Sequence, residues 1–328
     1  MAAIIRNDAA ADTTVMQSHT GAGTTERGRS TAFPRRAVLG SALGGALALP
    51  FLGRRAHAAE AVNAYTIWPE HYARPMLEAF EKASGIHVNF VRFSAGEALA
   101  RLIAEKSNPQ VDVLFGGPVE TFTAGVGRGV FEPYAPPSAP ELAKRFKDPA
   151  NNWFAIADDP LVFMSNTKFL KEHNLQPPSS WNDLLDPAYK NMLQMADART
   201  SGTAVTRIFS IIQANNRDEN AAFAYMKKLR GNVQLYTKSG GGGTLPIGLG
   251  QAGAGVFFIV DALYTRQQGY DVTISFPKEG IGSAAECIAL VKGAKHSEQG
   301  KKLIDWATSP AMQSLLAPTN ITFLPANP

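Results

Sequence analysis

The chain is poor in cysteine and has no hydrophobic run long enough to span a membrane. Its single cysteine, Cys287, cannot form an intramolecular disulfide and lies in an apolar stretch typical of a buried strand. No base nearby in sequence could activate it, so we interpret Cys287 as a small buried hydrophobic residue. The uncharged stretch of residues 37–53 is shorter than the roughly 20 apolar residues that a membrane-spanning helix needs.

Several motifs of catalysis and nucleotide binding are also missing. The chain has no G-x-S-x-G elbow, no H-E-x-x-H pair and no spaced set of cysteines. The glycines at 240–243 do not match the phosphate-loop pattern, and the histidines at 71, 87, 173 and 296 lack metal-ligand spacing. We therefore expect no cofactor and no metal, and we do not expect an enzyme. An exported hydrolase is the alternative from a different class.

The first 58 residues have the pattern of an export signal. Arg35 and Arg36 precede the apolar stretch of residues 37–53, and the small-residue triplet 56–58 follows it. A charged segment, a short apolar segment and an A-x-A-like cleavage site are the parts of a secretory signal. The paired arginines favour the twin-arginine route, which carries folded proteins. We predict cleavage near Ala58, and the alternative is a retained N-terminal anchor.

Removal of this segment changes the charge of the chain. The full sequence has 32 basic and 28 acidic residues, of which residues 1–58 contribute seven arginines and three acids. The remainder therefore has 25 of each sign and is neutral. Nucleic-acid binding rests on clustered basic charge, so we do not expect a nucleic-acid partner.

Strand and helix patterns alternate through the remaining 270 residues. A β-prone run at 62–68 precedes an amphipathic helical pattern at 74–84 and a second strand at 86–91. A helix at 98–106 and a strand at 111–115 follow. This order predicts an α/β fold with a parallel sheet covered by helices, and the length suits two lobes of modest size.

Five loops follow predicted strands or open predicted helices, which is where open α/β sheets bind ligands. They are residues 68–72, 94–97, 116–118, 199–203 and 238–244. Small hydroxyl residues and glycines there leave backbone N–H groups free to face an anion, helped by the positive end of a helix dipole. The same residues are also ordinary caps and turns, so each loop alone keeps a structural interpretation.

Six stretches carry a resemblance to a known family. They are EKSNPQVDV (105–113), FGG (115–117), DARTSGTA (197–204), YTKSG (236–240), EGIG (279–282) and VKGAK (291–295). Together they resemble the type II extracytoplasmic solute-binding proteins of ABC importers. The most similar branch binds ferric ion, hexose phosphates, aminoalkylphosphonates or thiamine. The resemblance spans residues 60 to 328.

The resemblance implies a two-lobed, type II periplasmic-binding-protein-like α/β fold with the ligand in the cleft between the lobes. We place its two crossovers near residues 159–165 and 260–266. Lobe 1 then comprises residues 59–160 and 266–328, and lobe 2 comprises residues 161–265. The implied protein is a periplasmic monomer whose partners are a small-molecule ligand and the membrane permease of an ABC importer.

The phosphate-binding members of the branch imply an anion site at Ser201, Gly202 and Thr203. Arg199 could add a bidentate clamp on a phosphate or carboxylate. Residues of the other loops would complete the pocket, namely Ser94, Gly96, Gly117, Ser239 and Gly240.

The far end of the ligand would meet acidic and aromatic residues. Asp261 and Glu286 could accept hydroxyls or an amine, and Trp68 and Tyr72 could stack on a ring or cation. Glu70, in the same loop as Trp68, is a further candidate for ligand contact. The alternatives are a helix cap for Asp261, a surface position for Glu286 and simple packing for the aromatic residues.

Thiamine and ferric ion are the other ligands that the resemblance implies. Thiamine, a cation, would favour the acidic and aromatic set. Ferric-binding members use adjacent tyrosines, whereas residues 257–264 contain Tyr264 alone. We therefore favour a small anionic organic ligand, which could be a phosphate ester, a phosphonate or a carboxylate.

Overall fold

Strands and helices alternate through the part of the chain that the computed structural model describes, residues 60–316 and 323–326. Its strands are β1 (Ala61–Thr66), β2 (His87–Arg92), β3 (Val113–Pro118), β4 (Phe154–Asn166), β5 (Leu193–Ala196), β6 (Val233–Thr237), β7 (Ala254–Phe258), β8 (Val272–Ser275), β9 (Ser283–Leu290) and β10 (Leu324–Pro325). The predicted export signal and its cleavage near Ala58 lie outside the described residues.

The helices follow the same order along the chain. They are α1 (Glu70–Ser84), α2 (Ala95–Ala104), α3 (Val119–Arg128), α4 (Thr167–Glu172), α5 (Gly202–Ala214), α6 (Glu219–Leu229), α7 (Thr244–Gly248), α8 (Ile259–Gln267), α9 (Ser297–Ala307) and α10 (Pro310–Leu316). Short 3-10 turns lie at Lys144–Phe146, Trp181–Leu185, Pro187–Tyr189, Arg230–Asn232 and Gly240–Gly243. None of the helices in the described ranges combines the length and apolar character needed to cross a membrane.

Helix α1 illustrates how the local sequence selects the fold. Tyr72, Met76 and Phe80 are buried and recur every four residues, which places them on one face of the helix. Gly85, at φ 74°, ends the helix in the left-handed region that favours glycine. The helix begins at Glu70, one turn earlier than the sequence pattern predicted, so Tyr72 belongs to its first turn, whereas Trp68 precedes the helix.

The strands form a mixed sheet in the order β2-β1-β3-β9-β4-β7-β5-β6, with β8 and β10 also paired to β4. Strand β1 pairs in parallel with β2 and β3, as the β-α-β-α-β order predicted. Strand β9 lies antiparallel between β3 and β4, because the C-terminal part of the chain returns to the first strands. The α/β prediction is therefore confirmed, although the sheet is not parallel throughout.

Strand β4 joins two groups of strands. Its first part, through Pro160, pairs with β9 and β10, and its second part, from Leu161, pairs with β7 and β8. Strands β5 and β6 extend the second group through β7. Residues 260–266, where we expected the second crossover, lie in α8. The chain then pairs with the second part of β4 as β8 before residues 276–282 lead back to β9.

Cys287 lies in the apolar core of this sheet. It sits in β9, fully buried, and burial raises the pKa of its thiol well above the usual range. The interpretation of Cys287 as a buried hydrophobic residue is confirmed. Its neighbour Glu286 points to the opposite face of β9, since side chains alternate along a strand.

Candidate ligand-binding site

A cavity lies between the two groups of strands. The ends of strands and the first turns of helices from both groups meet there. Its volume is about 50 Å³, which is room for a few water molecules. The cavity brings together nine of the residues that we predicted to bind ligand: Trp68, Ser94, Gly117, Ser201, Gly202, Thr203, Gly240, Asp261 and Glu286.

Helix α5 presents its N-terminus to this cavity. Ser201 precedes the helix in an extended conformation, and its side chain makes no cap hydrogen bond to the helix. The first backbone N–H groups of α5 therefore lack that partner. Ser201 and Thr203 are buried, and both hydroxyl residues line the cavity. Free N–H groups, hydroxyls and the positive end of the helix dipole are together suited to an oxyanion.

The turn Gly240–Gly243 packs directly against this helix start. A β-carbon on Gly240 would overlap the hydroxyl oxygen of Thr203. A β-carbon on Gly241 would lie 2.8 Å from a carboxylate oxygen of Asp261. Glycine at both positions lets the backbone approach these two side chains closely.

Glu286 is held on the cavity wall by two hydrogen bonds. Its Oε2 accepts from Nε1 of Trp68 and from the backbone N–H of Gly117, each at 2.6 Å. Burial raises the pKa of Glu286 to about 8, against the lowering effect of these hydrogen bonds. The side chain is buried, so the surface interpretation does not describe Glu286.

The aromatic residues of the site contact other groups of the protein and also line the cavity. The ring of Trp68 stacks on Phe323 with 4.3 Å between centroids, so the protein itself covers one face of the indole. The hydroxyl of Tyr72 donates to the backbone oxygen of Val260 at 2.9 Å. Both residues line the cavity, and both have structural partners.

Asp261 lies in the first turn of α8 and lines the same cavity. The cap residue of α8 is Phe258, so the helix-cap interpretation does not describe Asp261. Burial raises the pKa of Asp261 to about 7, and the Arg92 guanidinium acts in the opposite direction.

Asp159 is a cavity residue that the sequence reasoning missed. It lies on β4 and is 1% exposed. Its Oδ1 is buried without a hydrogen-bond partner among the described residues. Burial raises the pKa of Asp159 well above its usual range, and the neighbouring carboxylates of Glu286 and Asp261 raise it further. The sequence feature that could have identified Asp159 is its position as an acidic residue within the apolar run of β4.

Arg92 was missed for a different reason. It ends β2 as an exposed residue, which the sequence pattern does not distinguish from any other surface arginine. In three dimensions it lines both the inner cavity and a second, outer cavity of about 320 Å³. Pro69, Gly241 and Asp261 also line both, so the two cavities are neighbours that share part of their walls.

Glu70 and Ser239 line the outer cavity only. Glu70 is exposed and accepts a hydrogen bond of 3.0 Å from Nε of Arg74 on the next turn of α1. His71 and Tyr264 face the same space, and their rings stack with 4.1 Å between centroids. Glu70 and Ser239, two of the predicted site residues, therefore lie at the outer cavity and not at the inner one.

Gly96 and Arg199 do not line either cavity. Gly96 donates its backbone N–H to the backbone oxygen of Thr200 at 2.9 Å. The side chain of Arg199 is 87% exposed and pairs with Asp197, whose Oδ1 accepts from its Nε at 3.1 Å. The guanidinium is therefore engaged beside the cavity and turned to solvent.

The acidic residues of the cavity are not arranged as a metal centre. Within the described ranges, no group of three or more His, Cys, Asp or Glu side chains is placed to hold a metal ion. Tyr264, the tyrosine that a ferric site in this region would use, stacks its ring on His71. The chemistry that the cavity offers is hydrogen bonding and charge recognition.

Comparisons with known proteins point in one direction. A family model described as "Bacterial extracellular solute-binding protein" matches residues 108–328. A periplasmic protein of Salmonella typhimurium, whose name proposes that it binds 2-aminoethylphosphonate, is 31% identical over 244 residues, which is 72% of this chain and 69% of that protein.

Two solved structures extend the comparison. The periplasmic binding protein AfuA from Actinobacillus pleuropneumoniae, with exogenous fructose-6-phosphate bound, is 29% identical with a TM-score of 0.77, over 82% of this chain and 85% of that chain. A ferric binding protein from Campylobacter jejuni is 22% identical with a TM-score of 0.68, over 81% and 86% of the two chains. The predicted two-lobed α/β fold is confirmed by these likenesses.

Proposed function

The chain belongs to the family of bacterial extracellular solute-binding proteins, and from this premise we propose that its cavity captures a small organic anion for an ABC importer. The relatives are periplasmic binding proteins, so the chain is a periplasmic binding component with a small-molecule ligand and a permease partner. The geometry of the cavity supports a proposal for the chemical class of the ligand.

One observation carries the anion assignment. The N-terminus of α5, without a side-chain cap, opens into the cavity together with the hydroxyl residues Ser201 and Thr203 and the close backbone of Gly240. Backbone N–H groups and hydroxyls can all donate to one oxyanion, and the helix dipole favours its negative charge. We assign the anionic head group of the ligand to this position.

The relatives support the same chemistry. The name of the Salmonella protein refers to a phosphonate, and the AfuA structure contains a phosphate ester. Both ligands carry a phosphorus oxyanion, which the N-terminus of α5 is suited to hold. We therefore favour phosphonates and phosphate esters over carboxylates. Ser94 and Gly117 would approach the ligand from the first group of strands.

The lobes of the protein are proposed to divide within β4. Lobe 1 would comprise residues 60–160 with the chain from β9 onward, and lobe 2 would comprise residues 161–275. Residues 276–282 would form the second crossover, because β8 still pairs with the second part of β4. Ligand would enter when the lobes separate and be enclosed when they close.

Polar contacts between the proposed lobes would hold the closed form. Lys238 forms a salt bridge with Glu97, and this bond together with bonds from Ser94 lowers the pKa of Glu97 to about 2. Thr206 donates to Glu120 at 3.2 Å. The inner cavity of about 50 Å³ has room for a few water molecules, so a sugar phosphate would require the lobes to move apart.

We also propose that residues 1–58 direct export through the twin-arginine route and are cleaved near Ala58. The exported protein would act as a monomer, without a nucleic-acid partner and without catalysis. An exported hydrolase would consume its ligand, whereas a receptor releases it unchanged. Mass spectrometry of the ligand recovered after incubation separates the two.

A thermal-shift panel tests the proposed function. It would contain sugar phosphates, aminoalkylphosphonates, dicarboxylates, thiamine and ferric citrate. We expect at least one phosphorus oxyanion to raise the melting temperature, because a ligand at 100 times its Kd stabilises the folded state by roughly 2.7 kcal/mol. A shift by thiamine or iron, with none by any organic anion, would overturn the proposal.

A further inference from the structure

We propose that Phe323 is a positioning residue of the ligand cavity, whose ring holds the indole of Trp68 so that the indole N–H is directed at Glu286. This role deepens the proposed function, on which its effect on ligand binding rests. Phe323 lies outside the five loops and the six stretches from which the site was predicted.

Strand β10 fixes Phe323 in the cavity wall. Phe323 is 3% exposed and lines the cavity, and β10 follows it directly in sequence. Leu324 of β10 pairs with Asp158 of β4. The backbone N–H of Ala326 donates to Oε1 of Gln313 at 2.8 Å. The backbone after Phe323 is therefore anchored by bonds within the protein itself.

The ring of Phe323 stacks on the indole of Trp68. The ring centroids are 4.3 Å apart and the two planes differ by 13°. Phe115 meets the same indole edge-on at 5.2 Å, and a β-carbon on Gly116 would lie 2.5 Å from Cγ of Trp68. Stacked and edge-on ring pairs both favour a defined ring orientation. Trp68 is 2% exposed, so these neighbours leave its indole little freedom to turn.

The orientation of the indole matters because a tryptophan side chain has one hydrogen-bond donor. Nε1 of Trp68 donates to Oε2 of Glu286 at 2.6 Å, and the backbone N–H of Gly117 donates to the same oxygen. If the indole turned away, the buried Glu286 would lose one of these two donors, which is costly for a buried carboxyl group. Phe323 therefore acts on the cavity wall through Trp68.

Phe323, Trp68 and Glu286 all belong to the proposed lobe 1. Phe323 precedes β10, which pairs with the first part of β4, Trp68 follows β1, and Glu286 lies in β9. Their arrangement therefore does not require the lobes to close. A wall that is ordered before the ligand arrives spares the complex the cost of ordering it. Loss of the Phe323 ring should accordingly weaken binding.

The Trp68 indole N–H provides the spectroscopic test, in ¹⁵N-labelled protein without ligand. The chain has four tryptophans, and Trp68→Phe identifies the Trp68 signal by its absence. A hydrogen bond to a carboxylate is strong and shifts the donor proton downfield. We expect a downfield signal that changes with pH as Glu286 ionises, with a midpoint at about 8. Glu286→Gln should remove this pH-dependent step.

Other titratable groups surround Glu286. They are Glu120 on α3, Asp159 on β4 and Asp261 on α8, and Arg92 and Tyr72 line the same cavity. Of these described groups, only Glu286 accepts a hydrogen bond from Nε1 of Trp68. Loss of the step in Glu286→Gln therefore assigns it to Glu286 and not to a neighbour.

Substitutions of Phe323 show whether its ring positions the indole. Phe323→Leu and Phe323→Met remain apolar but remove the ring, so the Trp68 signal should move upfield and its pH-dependent step should lose most of its amplitude. Phe323→Tyr keeps a ring and should restore both features. The matched control is Phe80→Leu. Phe80 is 1% exposed, lies 5.7 Å from the ring of Trp306 and does not line the cavity, so this variant should leave the Trp68 signal unchanged.

Titration calorimetry measures the consequence for binding. The probes are fructose 6-phosphate and 2-aminoethylphosphonate, which are named with the relatives. For a probe that binds the wild type, Phe323→Leu should raise Kd by roughly 2- to 10-fold, which corresponds to the energy of one aromatic pair. Phe323→Tyr and Phe80→Leu should leave Kd nearly unchanged. An unchanged Kd in folded Phe323→Leu would overturn the role of Phe323 in binding.

The outcomes separate this role from the proposed function. A Trp68 signal that is the same in wild type, Phe323→Leu and Phe323→Met, or a wild type without the pH-dependent step, overturns the positioning role and leaves the proposed function standing. Absence of binding by every oxyanion of the thermal-shift panel overturns the proposed function, whereas the ligand-free titration still decides what Phe323 does. If one of the two ring-less variants fails to fold, the other decides the outcome.

Discussion

The backbone N–H of Gly96 donates a hydrogen bond of 2.9 Å to the backbone oxygen of Thr200. This bond joins the start of α2 to the loop that precedes α5, and thus one proposed lobe to the other. A β-carbon on Gly96 would lie 2.7 Å from the backbone oxygen of Arg199. The residue at position 96 therefore decides how closely the two loops can approach, although it does not touch the cavity.

Gly96→Ala is expected to hinder closure of the lobes. Backbone oxygen cannot move aside as a flexible side chain does, so the methyl group should hold the loops apart and weaken ligand binding by roughly 10-fold. Small-angle scattering should show a larger radius of gyration for the liganded variant than for liganded wild type. Gly127→Ala is the control, since a β-carbon on Gly127 in α3 meets nothing within 4 Å.

Thr203→Val should weaken oxyanion binding without unfolding the protein. The substitution keeps the shape of the side chain and removes the hydroxyl of a residue that lines the cavity, which should cost roughly 10-fold in Kd. Arg199→Ala serves as the comparison, because its exposed guanidinium pairs with Asp197. Titration calorimetry should give a changed Kd for the first variant and an unchanged one for the second. An equal rise in Kd for both variants would indicate that the oxyanion of the ligand also contacts Arg199.

The ligand-free protein should lose stability as the pH rises from about 5 to about 8. The folded-state pKa of Glu286 is about 8 against an ordinary value of 4.5. For Asp261 it is about 7 against 3.8. In this window the folded state binds more protons than the unfolded state, so its stability falls with rising pH. Glu120 and Asp159 face the same cluster, and burial raises their pKa as well.

Melting temperature as a function of pH checks this expectation. Glu286→Gln removes one titrating group but keeps an oxygen to accept from Trp68 and Gly117. Between pH 5 and pH 8 its melting temperature should therefore fall by a few degrees less than that of the wild type. Glu78→Gln, on the exposed face of α1, should retain the wild-type slope. A wild-type profile that rises toward pH 8 would contradict the raised pKa values.

Replacement of Arg35 and Arg36 by lysines should block export. The twin-arginine route requires the arginine pair, so the folded, unprocessed precursor is expected to accumulate in the cytoplasm. Cell fractionation with immunoblotting would measure precursor and processed protein. Normal processing of the double variant would assign export to the general secretory route.

Local sequence patterns predicted much of this fold and part of the candidate site. The hydroxyl and glycine residues at 201–203 were identifiable because a helix start with such residues has a recognisable sequence. The parallel pairing of β1 with β2 and β3 followed from alternating strands and helices. Both features depend on residues close together along the chain.

Features that depend on three-dimensional geometry were not visible in the sequence. The engagement of Arg199 by Asp197 depends on side-chain geometry, which spacing alone does not set. Asp159 joins the cavity wall only because the fold brings β4 close to Glu286, which is 127 positions away in sequence. The pairing of β8 with β4 likewise depends on the assembled sheet and leaves no local pattern.

The contact between Trp68 and Glu286 should make the intrinsic fluorescence of Trp68 sensitive to ligand binding. The indole N–H donates to a carboxylate whose ionisation should respond to whatever enters the cavity. Trp153, Trp181 and Trp306 do not line the cavity and provide a steady background. Intrinsic fluorescence, recorded without any attached dye, should thus follow loading and release on the timescale of stopped-flow mixing.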